Sequence, residues 1–148
     1  MPTAFTRYCK TLVASGARTT GTGSTDTCIM PDDVIGGTFY LHVTSQTATT
    51  PTLDVAYRVT PDDGTTFYAV LRHAQTTTTT EHTRYLNVTF APWLTAGTEG
   101  LTAVTGGALC VNVGFSRLFS VYWTIGGTAN TATFDVTFIG FRLPNVGF

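Results

Sequence analysis

Leu53, Val55, Tyr57 and Val59 alternate with Asp54, Ala56, Arg58 and Thr60, and this period of two is the clearest order in the chain. Alternation of that kind puts one set of side chains on each face of a β-strand, one face buried and one wet. The same pattern sets Phe39, Leu41 and Val43 against Tyr40, His42 and Thr44, and Phe119, Val121, Trp123 and Ile125 against Ser120, Tyr122 and Thr124. Shorter rows follow the same rule at Leu86, Val88 and Phe90, at Leu109 to Phe115, and at Phe134, Val136 and Phe138. Pro61-Asp62-Asp63-Gly64 directly follows the first of these rows and predicts a hairpin, because glycine tolerates the positive φ that twist-matched turns need. The return strand is expected from about Thr66 to Arg72.

Between the rows the chain is polar. Ser15 to Thr27 is threonine, glycine and serine with almost nothing apolar, and reads as a loop after a short first strand. Thr76 to Thr80 is five threonines in a row, which fits an extended edge or a loop equally. Thr95 to Ala108 reads as a long glycine-rich loop. No segment combines helical periodicity with caps. About eight strands separated by turns predict an all-β chain. One wet face per strand implies antiparallel pairing, so residues 1–148 are expected to form a single antiparallel β-sandwich. The expected core includes Leu53, Val55, Tyr57, Val121, Trp123, Phe134 and Val136, which share one phase.

The last strand breaks the pattern. Its outward set begins with Asp135 and Thr137 and then turns apolar at Ile139 and Phe141. Apolar side chains on a wet face mark contact surfaces. Beyond them Leu143 to Phe148 reads as an arm that needs a partner to order it, and residues 1–10, around Arg7 and Tyr8, read the same way at the other end. The candidate partner-contact residues are therefore Arg7, Tyr8, Ile139, Phe141, Leu143 and Phe148.

Composition sharpens the class. Only 11% of the residues are charged, against a usual quarter, and threonine supplies much of the polar surface instead. The formal net charge is −1, which leaves little repulsion between copies and suits a protein destined for an assembly. Lys10 is the only lysine and the arginines are scattered, so a nucleic-acid partner is not expected. No run approaches a membrane span, and Leu12-Val13-Ala14 is too short for the core of a signal peptide. Cys9, Cys28 and Cys110 are an odd number, widely spaced, and are expected to be free thiols acting as small buried hydrophobes in a reducing compartment.

Candidate chemistry is thin. His73 and His82 flank the threonine run near Glu81, a possible metal cluster, yet His42 and His73 fall on the polar faces of strands, where a solvated histidine needs no further role. Asp62 and Asp63 are explained by their turn. No nucleophile elbow or phosphate loop is present, and Asn87-Val88-Thr89 matches a glycosylation sequon by chance within a strand. Tyr57, Tyr68 and Tyr122 are candidates to stack on a sugar ring, with core packing the favoured role. The expectation is no catalytic residue, no metal and no cofactor.

Two runs carry a resemblance. Thr50 to Phe67 has a Thr-Leu-Asp-Val strand, a Pro-Asp-Asp-Gly turn and an aromatic, and Tyr122 to Val136 has a Trp-Thr-Ile-Gly-Gly-Thr hairpin. Together they resemble small structural proteins encoded beside head genes in tailed bacteriophages, over Thr38 to Arg142. Phe67 stands where that family usually has Trp, and the first ~37 residues and the last six match no part of it. The resemblance implies a jelly-roll or related sandwich and a virion component made in the host cytoplasm. Its expected role is a capsid decoration (cement) protein on the capsid exterior, a homotrimer bound to the major capsid protein. A tail or fibre module that binds host glycan is the alternative.

Overall fold

The computed structural model describes residues 5–59, 68–90 and 117–143. Nine strands follow one another among these residues: β1 (Thr6–Thr19), β2 (Gly21–Ser24), β3 (Cys28–Ile29), β4 (Val34–Gln46), β5 (Thr52–Val59), β6 (Tyr68–Arg72), β7 (His82–Thr89), β8 (Leu118–Gly126) and β9 (Thr131–Arg142). The described residues contain no helix. One sheet runs β1-β9-β4-β7 and the other β2-β8-β5-β6, with β3 also on β8. Every pairing is antiparallel.

The pairings are nested. β2 and β3 lie on successive stretches of β8, opposite Tyr122–Ile125 and Leu118–Phe119, and so act as one interrupted strand. Counted that way among the described strands, the first pairs with the last, the second with the next to last, and so inward to β5 and β6. That is a long hairpin rolled on itself, the jelly-roll arrangement of an all-β sandwich. The hairpin turn expected at Pro61 to Gly64 and the row Leu109 to Phe115 lie outside the described residues.

The alternation seen in the sequence becomes the core. Phe39, Phe134, Val136 and Phe138 from the first sheet and Leu53, Val55, Tyr57 and Val121 from the second are at most 1% exposed. The Phe39 and Tyr57 rings stack between the sheets at 4.0 Å, and Phe119 and Phe138 meet Phe39 edge-on or tilted at 5.5 and 5.2 Å. Burying side chains of this size contributes roughly 1.5–3 kcal/mol each. Trp123, expected in the core, is instead half-buried at its margin. Its ring is covered by the Arg18 guanidinium, 5.2 Å from the centroid, with Phe134 edge-on at 5.7 Å.

The expected loop over Ser15 to Thr27 is mostly strand. β1 continues to Thr19 and β2 follows at Gly21. The segment shows no apolar row because its inward positions are Gly16 and Arg18, whose guanidinium covers Trp123 and Phe134. The register of β1 with β9 slips between Thr11 and Val13 and again between Val13 and Gly16, so Leu12 and Val13 are both buried and the alternation is lost. Thr6 to Lys10, expected within a partner-ordered arm, run in that strand opposite Arg142 to Phe138. Thr76, in the threonine run, makes an isolated bridge to Leu53.

One end of the sandwich is closed by polar groups. Asn130 donates to the Gln46 side chain at 3.1 Å and to the Gly126 carbonyl at 2.9 Å, and accepts from the Thr47 and Ala48 amides. Gln46 donates to the Thr76 and Thr78 carbonyls. Buried amides with this many partners fix loop positions at no desolvation penalty left unmet.

Candidate functional site

Directly opposed residues in a sheet share a face, so the registers define the outer surface of the first sheet. Arg7, Phe141, Gly36 and Thr89 form one cross-strand row. Cys9, Ile139, Thr38 and Asn87 form the next, then Thr11, Thr137, Tyr40 and Tyr85. Beyond these, Asp135 and His42 lie side by side. The sequence-derived contacts Arg7, Ile139 and Phe141 therefore fall together on one face. Tyr8 does not. It pairs with Gly140 and turns inward, packing on the core with its ring 6.2 Å from Phe138 and beneath the Arg142 guanidinium. Leu143 continues past β9, 46% exposed, with its amide bonded to the Asp33 carbonyl at 2.8 Å. Phe148 lies outside the described residues.

The apolar character of this face concentrates at one corner. Phe141 is 55% exposed, Phe5 59% and Ile35 37%, and all three sit with Leu143 at the same end of β1, β4 and β9. Phe5 directly precedes the Thr6–Arg142 pair, and Ile35 is the extra residue where the β4–β9 register slips between Val34 and Gly36. Sequence reasoning missed both. Ile35 stands against two glycines and Phe5 stands alone, so neither belongs to an alternating row. Four large apolar side chains gathered in one corner are the kind of surface that monomers seldom leave open.

The opposite end of the face is charged. Nδ1 of His42 is 3.0 Å from a carboxylate oxygen of Asp135, and Nε2 is 2.8 Å from one of Glu81. The hydrogen bonds to Glu81 and Asp135 raise the pKa of His42, against a smaller opposing effect of burial. Both ring nitrogens are taken by different carboxylates on opposite sides, so the three groups do not converge on a common point. Among the described residues no set of three or more His, Cys, Asp and Glu side chains is placed to hold a metal ion.

The other candidates separate. His73, expected to be solvated, is 3% exposed and bonded to the Tyr57 hydroxyl at 2.8 Å, because it continues the β5–β6 ladder with its amide on the Val55 carbonyl and so faces inward with Val55 and Tyr57. Burial, and secondarily the nearby Arg84 charge, lowers its pKa to about 4. His82 directs Nδ1 to the Thr80 carbonyl. A shallow cavity of about 190 Å3 lies along β7, lined by His73, Ala74 and Thr83 to Leu86, below the ~300 Å3 at which ligand pockets usually begin. Tyr57 is in the core, the role favoured for it, while Tyr122, opposite Ala56, points to the other face under Arg58. Asp62 and Asp63 lie outside the described residues. Cys9, expected to be buried, is exposed beside Ile139, and Cys28 is half-buried. No helix among the described residues is long and apolar enough to cross a membrane.

Comparison of the chain with protein-family models, with curated proteins and with solved structures gives no match.

Proposed function

We propose that this chain is a virion structural protein, a capsid decoration protein that stabilises the head of a tailed phage by binding its major capsid protein. The observation that carries the reading is the exposed apolar corner of Phe5, Ile35, Phe141 and Leu143 at one end of the first sheet. The strand and turn motifs from Thr50 to Phe67 and from Tyr122 to Val136 supply the phage context by resemblance. A jelly roll offers two broad faces and many shallow contacts, and repetition of a weak contact over a shell multiplies its effect. Burial of the corner contributes about 25 cal/mol per Å2 of apolar area before ordering costs are subtracted. The low, balanced charge permits copies to sit side by side, and the oligomer proposed is a trimer.

The test is cosedimentation with undecorated capsids of the phage whose head genes neighbour this one. The intact protein is expected to pellet with capsids, and a Phe141→Ser, Leu143→Ser variant to stay in the supernatant while melting at the same temperature. An intact protein that ignores capsids refutes the reading.

A second reading has its own observation. Tyr40 and Tyr85 are direct cross-strand neighbours on the outer face, Tyr85 70% exposed, and adjacent tyrosines can stack on a sugar ring. Binding to host cell surfaces, abolished by Tyr85→Ala and unaffected at Phe141, would favour a glycan-binding tail module instead.

A further inference from the structure

His42 stands on β4 with Asp135 beside it on β9 and Glu81 reaching it from the residue before β7. A carboxylate only accepts hydrogen bonds, and a neutral imidazole has one N–H. Both ring nitrogens lie within 3.0 Å of carboxylate oxygens, so the observed arrangement requires the doubly protonated ring. Removing a proton turns one contact from a charge-assisted hydrogen bond into two lone pairs facing each other.

The two contacts are not equivalent. Asp135 is held in the strand ladder and its side chain is 23% exposed, whereas Glu81 is 68% exposed at the end of the segment that crosses from the second sheet to the first. Gln46 of β4 holds the middle of that segment, its amide bonded to the Thr79 carbonyl and its side chain to the Thr76 and Thr78 carbonyls. Beyond these contacts the Glu81 end is tied to the outer face through His42. Other charged groups nearby are turned away. Arg84 of β7 reaches the Gln75 carbonyl, His82 bonds to Thr80, and on the β1 side Arg18 lies over Trp123 and Phe134.

We propose that His42 is a proton-operated latch: as imidazolium it clasps Glu81 through Nε2 and Asp135 through Nδ1, tying the Glu81 end of the crossing to the outer face of the first sheet, and on losing a proton it keeps Asp135 and releases the Glu81 side chain. The raised pKa of His42 agrees with this geometry. The charge of the cluster changes from −1 to −2 as the latch opens, at the end of the outer face away from the apolar corner. The device is a property of the folded chain and stands whether or not that face meets a capsid.

The test is nitrogen-15 NMR of the histidine rings across pH in the full chain. His42 is expected to titrate above the ordinary ~6.5 and to carry its remaining proton on Nδ1, the less common tautomer, once neutral. Glu81→Gln should lower that pKa and leave the Nδ1–H tautomer, while Asp135→Asn should lower it and restore the Nε2–H form. Amide exchange of Thr80 and Glu81, which lie beyond the Gln46 contacts, corrected for its intrinsic pH dependence, should rise through the His42 transition and lose that step in Glu81→Gln. A His42 that titrates at or below ~6.5, or a neutral ring protonated on Nε2 in the wild type, overturns the proposal.

Discussion

The hydroxyl of Tyr57 lies 2.8 Å from Nε2 of His73, with both side chains inside the sandwich and their rings edge-on at 5.6 Å. A neutral imidazole satisfies the phenol, and a charged one has no counter-ion among the described residues. Burial holds His73 at about 4, so the folded state resists its protonation.

Acid should therefore destabilise the protein in a defined window. The unfolded chain takes up the His73 proton near pH ~6.5 and the folded chain only near 4, so stability is complete above ~6.5 and falls as pH drops toward 4. The full effect is on the order of 3 kcal/mol. His42 acts with the opposite sign and in a different range: its contribution is complete below ~6.5 and is lost as pH rises through its elevated pKa. Urea unfolding at pH 7 and pH 4.5 reads the His73 effect, and Tyr57→Phe should cost about 1–3 kcal/mol at pH 7 by stranding the ring nitrogen.

Arg18 should behave as a structural clamp. Its guanidinium donates to the Ala14, Gly16 and Phe134 carbonyls at 2.8, 2.8 and 3.1 Å, just where the β1 register slips, and lies over the Phe134 ring at 4.6 Å. Arg18→Met removes these bonds and is expected to cost about 2 kcal/mol in denaturant unfolding. Arg18→Lys should recover less than half of that, because an ammonium cannot reproduce the planar fork.

A close approach of β4 and β9 is set by glycine. Gly37 and Gly140 are opposite each other, and the Phe138 ring covers the space their side chains would take. A Cβ on Gly37 would collide with the Ile139 carbonyl and the Gly140 backbone, which cannot move aside without breaking the ladder. Gly37→Ala should lower stability by about 2 kcal/mol or more, whereas Gly16→Ala, whose Cβ would meet only the end of Arg18 at 3.9 Å, should cost under ~1 kcal/mol. Thermal melts of the two variants side by side decide it.

Cys9 should alkylate rapidly in the native protein and Cys28 slowly, since the first is exposed and the second half-buried. Mass spectrometry over a time course gives the order. Cys9→Ser is expected to change stability by less than ~0.5 kcal/mol.

These outcomes turn on features of unequal legibility. Rows buried on one face, such as Phe39 to Val43 and Leu53 to Tyr57, were plain in the sequence because the pleat imposes a period of two on any strand with one dry side. The second half of β1 was not, because its inward positions are Gly16 and Arg18 rather than apolar residues and the slips around Val13 break the phase. His73 shares the inward phase of Leu71, opposite Val55, but its polar side chain reads as part of a wet face. Ile139 and Phe141 stood out as apolar residues in a polar phase, while the pairing of His42 with Glu81 spans 39 residues and left no local mark.

The pairing of β1 with β9 also governs how the chain reaches its fold. Thr6 lies opposite Arg142, and β9 is the strand between β1 and β4. β4 can pair with β7 earlier, but β1 has no ladder partner until almost the whole described chain has been synthesised. Such non-local pairing folds slowly, in milliseconds to seconds, with strands left waiting. The waiting strand β1 is rich in threonine and carries Arg7, Lys10 and Arg18 spaced along it. Lys10 and Arg18 flank its longest uncharged stretch, residues 11–17, where charges hinder the edge pairing from which aggregation starts. The sparse hydrophobicity that hid this strand from a reading of the sequence protects the chain during the interval before its partner arrives.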